Sequence, residues 1–312
     1  MMLYRTGVIE IPASEGSRFD HAAFDPKTRR VFAAHTARHR LEVIDHDTAR
    51  HIATLEDFPG AAGVVADDGE VLVTNRGAAQ LAWIDAQTLA TRAVFDVGPR
   101  PNGVAFIAHP RLAVIACIGD ETDGPELQVL ELEGNRRWAF RLPGRPRWCV
   151  TSLDGTRVFL AIRKPSMVLV ARLPDLSDVH HWPLPAERAH GIDIDHRAGL
   201  LYVACDSNAL IEVDAANGTA RCEWPLEGAP DATFFNPTSG LVHVAIEEPG
   251  LIQTINPQTG GSFSFSTAIG ARTTAIVQPK HLYVFSPFHR GALVLAEVCD
   301  ADTGPSDVRH GS

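Results

Sequence analysis

The chain repeats itself about every forty-two residues, and this period constrains its fold more than any other feature. Each copy has an apolar stretch, a turn rich in Asp, Asn, Pro and Gly, a second apolar stretch, a polar loop and a third stretch ending in Asp or Asn. Residues 200–219 are the clearest copy. One unit of this length cannot bury its own hydrophobic face, so the copies must pack against one another.

Seven copies are visible along the chain. The central residue of the second apolar stretch recurs as Phe32, Leu72, Val114, Phe159, Tyr202, His243 and Tyr283. Each unit reads as four short antiparallel strands, which in the first unit cover residues 21–24, 30–34, 41–45 and 51–55. Units of this kind at this period predict an all-β, seven-bladed β-propeller with four antiparallel strands per blade.

The two ends of the chain predict how the propeller closes. The seventh unit supplies strands at 274–277, 281–285 and 292–298 but lacks a fourth, whereas residues 7–11 form a strand without a unit. We expect this N-terminal strand to complete the last blade, which protects two strand edges. The prediction is a single propeller over residues 1–299, followed by a disordered C-terminal tail at 300–312.

Two strands resemble a known repeat. Residues 71–75 (VLVTN) and 201–205 (LYVAC) are similar to the YVTN-type repeat that defines a large family of bacterial seven-bladed propellers. The resemblance covers roughly residues 3–298 and includes the apolar-Asp-x-x-x-Gly/Thr element after the third strand. It implies the propeller fold. Because the family includes ligand-binding proteins, surface proteins, lyases and lactonase-like enzymes, it does not select a function.

Composition limits the partners. The chain has 312 residues and a formal charge of −10, which argues against a nucleic-acid-binding surface. No apolar run reaches membrane-spanning length, so we expect no membrane association and a cytoplasmic monomer. A leader peptide cleaved from a longer precursor would instead indicate the periplasm. The five cysteines lack the spacing of a disulfide framework, and no motif indicates an organic cofactor.

One residue per blade is expected at the mouth of the central channel. Aligning the units on their strand-one turns gives the series Asp20, Ala62, Asn102, Cys149, His190, Asp231 and Thr273. Asp20, Asn102, His190 and Asp231 can coordinate a divalent metal ion. The set is similar in kind to the lactonase-like propellers of the gluconolactonase class, although that class has six units and a Glu where Asp20 stands. Alternatively, Asp20, Asn102 and Asp231 hydrogen-bond backbone amides at the blade junctions.

Cationic side chains concentrate on the same face, although the chain is acidic. Arginine binds carboxylate or phosphate through a planar fork, which indicates a small anionic ligand. Alternatively, these arginines pair with acids such as Asp206 and Glu247. The residues predicted to bind substrate are Arg76, Arg100, Arg147, Trp148, Arg163 and Arg272; further basic residues on this face are Arg18, Arg38, Arg40, Arg145, Lys164, Arg188 and Arg290.

Histidines complete the predicted site. His21, His190 and His289 map to the ligand face as candidate catalytic residues, and His35 maps to the same sector. Histidine is the natural general base near neutral pH. The favoured function is therefore a metal-assisted, lactonase-like hydrolase or a lyase that acts on an anionic substrate at the top of the channel. The alternative is a non-catalytic propeller scaffold that binds a ligand or a protein partner.

Overall fold

The seven predicted blades are present. A computed structural model describes residues 2–286 and 290–298, and in these ranges the chain forms seven four-stranded antiparallel sheets and one 3₁₀ turn at Thr36–Arg38. The fold prediction is confirmed. The predicted tail at 300–312 and the candidate residue His289 lie outside the described residues. No helix in the described part of the chain is long and apolar enough to cross a membrane.

The strands of blades 1 to 4 follow one another along the chain, each blade starting with its innermost strand. Blade 1 contains β2 (Ala22–Asp25), β3 (Arg30–His35), β4 (Arg40–Asp45) and β5 (Arg50–Leu55). Blade 2 contains β6 (Ala61–Asp67), β7 (Glu70–Asn75), β8 (Gln80–Asp85) and β9 (Thr91–Asp96). Blade 3 contains β10 (Pro101–Ile107), β11 (Leu112–Cys117), β12 (Glu126–Glu131) and β13 (Arg137–Arg141). Blade 4 contains β14 (Pro146–Thr151), β15 (Arg157–Ile162), β16 (Met167–Arg172) and β17 (Ser177–Pro183).

Blades 5 to 7 repeat the pattern and close the ring. Blade 5 contains β18 (Ala189–Asp195), β19 (Leu200–Cys205), β20 (Ala209–Asp214) and β21 (Ala220–Pro225). Blade 6 contains β22 (Pro230–Asn236), β23 (Leu241–Ile246), β24 (Leu251–Ile255) and β25 (Ser262–Ser266). Blade 7 contains β26 (Thr273–Val277), β27 (His281–Ser286), β28 (Gly291–Val298) and, as its outermost strand, β1 (Met2–Glu10).

The N-terminal strand closes the propeller as expected. Strand β1 pairs antiparallel with β28 from Met2 opposite Val298 to Glu10 opposite Gly291. It is longer than the predicted strand at 7–11 because a bulge between Arg5 and Gly7 lets the ladder continue toward the N-terminus. The two chain ends therefore hold blade 7 together.

The core lies between neighbouring blades. The residues that mark the sequence period all occupy the third position of the second strand of their blade, and Phe32, Phe159 and Tyr283 are among the largest fully buried side chains. Phe159 of blade 4, for example, packs in one cluster with Leu201 and Val203 of blade 5. Each second and third strand is thus covered on both faces. This explains why their sequences read as nearly continuous apolar runs.

His35 belongs to this interior and not to the ligand face. Its side chain is fully buried, and its ring nitrogens lie 2.7 Å from Glu42 Oε1 and 2.7 Å from Ser17 Oγ. Glu42 also contacts His51 and Thr54. The interpretation of His35 as a residue of the ligand face is therefore wrong. Its polar atoms are satisfied within blade 1 and its connection to blade 7, which makes the group a structural network.

Candidate functional site

In blades 2 to 6, a bulge at the start of the innermost strand points one side chain toward the channel mouth. In blade 5, Ala189 pairs with Cys205, and the ladder resumes only at Ile192 opposite Val203. The same shift occurs in blades 2, 3, 4 and 6. His190 lies inside the bulge, two residues before the ladder resumes. Bulges of this kind redirect a side chain and are common next to binding sites.

The ladder corrects the predicted ring in two blades. In blade 5, His190 lies two residues before Ile192, which pairs with the fourth residue of the second strand. The equivalent pairs are Cys149–Leu160 in blade 4 and Thr274–Val284 in blade 7, and the residues two positions before them are Arg147 and Arg272. Cys149 and Thr273, which alignment on the turns places at the mouth, are buried. In blade 7 the hairpin between strands one and two is one residue shorter than in blade 5, whereas in blade 4 it has the same length, so only the ladder register identifies Arg147. We call the corrected set the mouth ring: Asp20, Ala62, Asn102, Arg147, His190, Asp231 and Arg272.

A second set of charged side chains follows directly after the second strand in blades 2, 4, 5 and 6. We call Arg76, Arg163, Asp206 and Glu247 the collar. The backbone N–H groups of Arg76, Arg163 and Asp206 donate to the carbonyl groups of Gly60, Arg145 and Arg188, each two residues before the mouth ring. The repeat thus fixes the collar against the mouth ring by backbone hydrogen bonds. It also explains why charged residues of both sets meet in one place.

These residues enclose a cavity of about 560 Å³ at the top of the channel. Its floor is a ring stack that crosses the channel: His21 of blade 1 lies on Trp148 of blade 4, with centroids 4.0 Å apart and an interplanar angle of 6°. Trp148 also lines a second cavity of about 420 Å³ lower in the channel. The upper cavity is lined by all of the mouth ring except Ala62, by the collar, and by Arg18, His21, Arg145, Trp148 and Arg188, with Glu248 and Ile269 at its rim.

His190 is held by a carboxylate. Its Nδ1 lies 2.7 Å from Asp206 Oδ1, and Arg163 donates to Asp206 Oδ2 from Nη2 at 2.7 Å. Burial opposes ionisation of Asp206, but the hydrogen bonds and charges of His190 and Arg163 lower its pKa to about 2. Asp206 is therefore an acceptor at neutral pH, so Nδ1 of His190 carries the proton. The other ring nitrogen, Nε2, lies 3.5 Å from Asp231 Oδ1.

His21 is held in the same way on the opposite side. Its Nδ1 lies 2.7 Å from Asp20 Oδ1, while Arg76 donates to Asp20 Oδ2 at 2.8 Å and also to the side-chain oxygen of Asn102. Burial opposes ionisation of Asp20, but His21 and Arg76 hold its pKa well below the usual range. The interpretation of Asp20 and Asn102 as caps of backbone amides is wrong, because their side chains pair with Arg76 and His21.

Blade 4 carries positive charge in the cavity that forms no ion pair with a carboxylate among the described residues. Burial and repulsion by Arg145 lower the pKa of Arg147 to about 10, and its buried Nε has no hydrogen-bond partner among the described residues. Burial and repulsion by neighbouring arginines also lower the pKa of Arg145. By contrast, Arg163 pairs with Asp206, and Arg272 donates to Glu247 at 2.7 Å. An anion in the cavity would relieve this repulsion.

The predicted site residues are thus largely brought together. His21, His190, Arg76, Arg147, Trp148, Arg163 and Arg272 all line the cavity, as do Asp20, Asn102 and Asp231. Arg100 is exposed and lies outside the lining, although its charge acts on Arg145. Arg76 directs its contacts to Asp20 and Asn102, so its place in the site is structural as well as electrostatic.

The donor set does not fit a divalent metal ion as it stands. Both oxygens of Asp20 face cationic or donor groups, the Asn102 oxygen faces Arg76, and Nδ1 of His190 is bonded to Asp206. Among residues 2–286 and 290–298, no group of three or more His, Cys, Asp and Glu side chains could hold a metal. Seven arginines around the cavity also oppose a cation. The metal site therefore stays a sequence prediction.

Asp206 is a residue of the candidate site whose contact with His190 sequence reasoning misses. The sequence indicates it only as an acid that pairs with the arginines of the ligand face, and it does pair with Arg163. Its second oxygen, however, orients His190. The signal is present in the repeat, because Asp206 follows the second strand of its blade as Arg76 and Arg163 follow theirs.

The chain is similar in structure to known propellers. A streptogramin B lyase has a TM-score of 0.77 at 11% sequence identity, with 96% of this chain and 98% of that chain covered. The hydrazine synthase of Kuenenia stuttgartiensis has a TM-score of 0.79 at 12% identity, with 95% and 100% covered. No protein-family model and no curated protein sequence matches the chain. At these identities the similarity shows the seven-bladed fold alone, and function rests on the site.

Proposed function

We propose that the protein is a propeller enzyme that acts on a small anionic substrate at the channel mouth, by removing a proton next to the anionic group. The observation that carries this proposal is the placement of His190, oriented by Asp206, on the blade next to Arg147 in the mouth ring. Arg147 supplies an unpaired cation for the substrate anion. A structurally similar propeller, streptogramin B lyase, has lyase activity by name, so a fold of this kind can support elimination.

The proposed step is general base catalysis at carbon. Nε2 of His190 takes the proton, and the electron pair of the broken C–H bond forms a carbon–carbon double bond. The leaving group departs with the electrons of its own bond and accepts a proton from the imidazolium of His21. Asp206 stabilises the imidazolium that forms on His190, and Arg147 stabilises the negative charge that builds up on the substrate.

The two carboxylate–histidine pairs have separate roles in this proposal. Because Nδ1 of His190 is paired with Asp206, Nε2 is the ring nitrogen that is available to a substrate in the cavity. His21 lies on the floor against Trp148, so its position is fixed by stacking as well as by Asp20. Such fixed positions reduce the entropy that the reacting groups lose in the transition state.

Deuterium exchange tests the proposal whatever the leaving group is. The protein is incubated in D₂O with small carboxylates and phosphates that carry a hydroxyl, amino or acyloxy leaving group on the carbon adjacent to the one that loses its proton, and proton NMR follows exchange and product formation. We expect exchange at the carbon next to the anionic group in the wild type and its loss in His190→Gln. His180→Gln, at an exposed residue of β17, is the matched control. Equal exchange in the two variants would contradict the role of His190, and ligand binding without any exchange would favour the non-catalytic alternative.

A further inference from the structure

Three neighbouring blades present an ordered set of charges at the same repeat position. The mouth ring carries Arg147 in blade 4, His190 in blade 5 and Asp231 in blade 6. Because the three positions are equivalent in the ladder, their side chains leave the sheet at the same height. A cation and a carboxylate therefore flank the histidine on either side.

Neither of the two flanking charged groups forms a close ion pair with another described residue. Asp231 makes only long ion contacts, 3.5 Å from its Oδ1 to His190 Nε2 and 3.8 Å from its Oδ2 to Arg272 Nε. No described residue donates a hydrogen bond to its carboxylate, and Arg272 directs its shorter contact to Glu247. On the other side, the charges of Asp231 and Asp206 act on Arg147, but in the described ranges Arg147 forms no direct ion pair and its buried Nε has no hydrogen-bond partner.

A charged group costs free energy when a ligand displaces the water around it, unless the ligand supplies a partner for that charge. A dianion would satisfy Arg147 but would be repelled by Asp231. A simple cation would satisfy Asp231 but would be repelled by Arg147 and Arg145. A molecule with an anionic group at one end and an ammonium group at the other satisfies both.

We infer that the substrate is zwitterionic, with its carboxylate or phosphate bound by Arg147, its ammonium group bound by Asp231 and the intervening carbon atoms beside His190. This inference rests on the proposed function, because it names the substrate class of the same site. It assigns Asp231 as a specificity-determining residue. It also gives a role to the Asp231 carboxylate, which lies beside His190 in a cavity lined by seven arginines.

Calorimetric titration with a matched ligand series tests the inference. The probes are glycine, β-alanine, 4-aminobutyrate and 5-aminopentanoate, each compared with its N-acetyl derivative, and succinate and inorganic phosphate serve as pure anions. We expect at least one zwitterion to bind tenfold or more tightly than its N-acetyl derivative, which keeps the carboxylate but loses the charge on nitrogen. In Asp231→Asn this advantage should disappear, while the binding of succinate and phosphate should be unchanged or improved.

The outcomes separate this inference from the proposed function. If succinate or phosphate binds, Arg147→Gln abolishes that binding and no zwitterion exceeds its N-acetyl derivative, the zwitterion inference is wrong and the anion site stands. If an advantage of zwitterions persists in Asp231→Asn, the assignment of Asp231 is wrong. If neither anions nor zwitterions bind to the wild type, the inference and the proposed function fail together.

Discussion

The imidazole of His21 in blade 1 lies flat on the indole of Trp148 in blade 4, with ring centroids 4.0 Å apart. Both residues directly follow the mouth ring in their blades, and the blades are not neighbours in the ring. The stack therefore spans the central channel and separates the upper cavity from the lower one. One tryptophan thus contributes to the floor of the site and to the cohesion of distant blades.

Truncation of Trp148 should affect both properties. We expect Trp148→Ala to lower the free energy of unfolding by about 3 kcal/mol, the lower end of the range for tryptophan truncation, because the side chain is only half-buried. Urea denaturation measures this change. Trp148→Phe, which keeps an aromatic ring under His21, should lose less than half as much. Equal stability of wild type and Trp148→Ala would show that the stack contributes nothing to folding.

Asp206 gives a pH-dependent prediction. Its folded-state pKa is lowered from 3.8 to about 2, so the carboxylate contributes stability above its unfolded pKa that is lost as the pH falls through about 2. At pH 7 the contribution is about 2 kcal/mol. We expect Asp206→Asn to be less stable than the wild type by about this amount at pH 7, and the difference to shrink between pH 4 and pH 2. A difference that stays constant with pH would contradict the pairing with His190 and Arg163.

The tautomer of His190 can be read directly in the same variant. In the wild type, ¹⁵N NMR should show the proton on Nδ1, because ionised Asp206 can only accept. In Asp206→Asn the side-chain amide can present either a donor or an acceptor, so the fixed tautomer should be lost. An unchanged tautomer would place the orienting group elsewhere.

Any side chain at Gly191 should destabilise the fold, because the backbone of blade 5 lies very close to blade 6 at this position. A Cβ atom at this position would lie 2.3 Å from Thr233 Oγ1 and 2.7 Å from the carbonyl oxygen of Asp231. We expect Gly191→Ala to cost about 1–3 kcal/mol of stability and to displace Asp231. Gly7→Ala is the matched control, since no atom lies within 4 Å of its Cβ position. Thermal unfolding of the two variants should differ clearly, and equal melting temperatures would contradict the close blade contact.

The His35 network should be structural. Glu42 is fully buried, and His35, His51 and Thr54 hydrogen-bond to its carboxylate at 2.7, 2.9 and 2.6 Å. Breaking a buried charged pair costs about 3–5 kcal/mol, so Glu42→Ala should be strongly destabilised. At a temperature where the variant remains folded, its anion affinity should equal that of the wild type. A loss of affinity without a loss of stability would return His35 to the functional site.

Most of the fold could be predicted from the sequence, because the buried strand of each blade appears in the sequence as an apolar stretch that recurs at a regular spacing. The second strand of every blade is buried on both faces and mostly apolar, so residues such as Phe32 and Tyr283 mark the period in the sequence itself. The closing strand was predictable because the last unit lacks a strand that the first residues supply. Only its length was underestimated, since the bulge at Arg5 leaves no simple sequence signal.

The site was harder to predict because it depends on register and on contacts between blades. Arg147 precedes Phe159 by the same number of residues as His190 precedes Tyr202, so alignment on the second strand would have placed it in the mouth ring. The stack of His21 on Trp148 joins residues of non-adjacent blades, and no local pattern encodes such a contact.

The central claim is that an unpaired Arg147 binds the substrate anion, and calorimetric titration with succinate and phosphate tests it most directly. At pH 7, Arg147→Gln should bind about 10- to 100-fold more weakly than the wild type, as expected for loss of a charged hydrogen bond. Arg100→Gln, at an exposed arginine outside the cavity, should bind like the wild type. Because the pKa of Arg147 is about 10 and the cation is the binding form, wild-type affinity should also fall as the pH rises through 10. Equal affinities of Arg147→Gln and the wild type at pH 7 would contradict the claim.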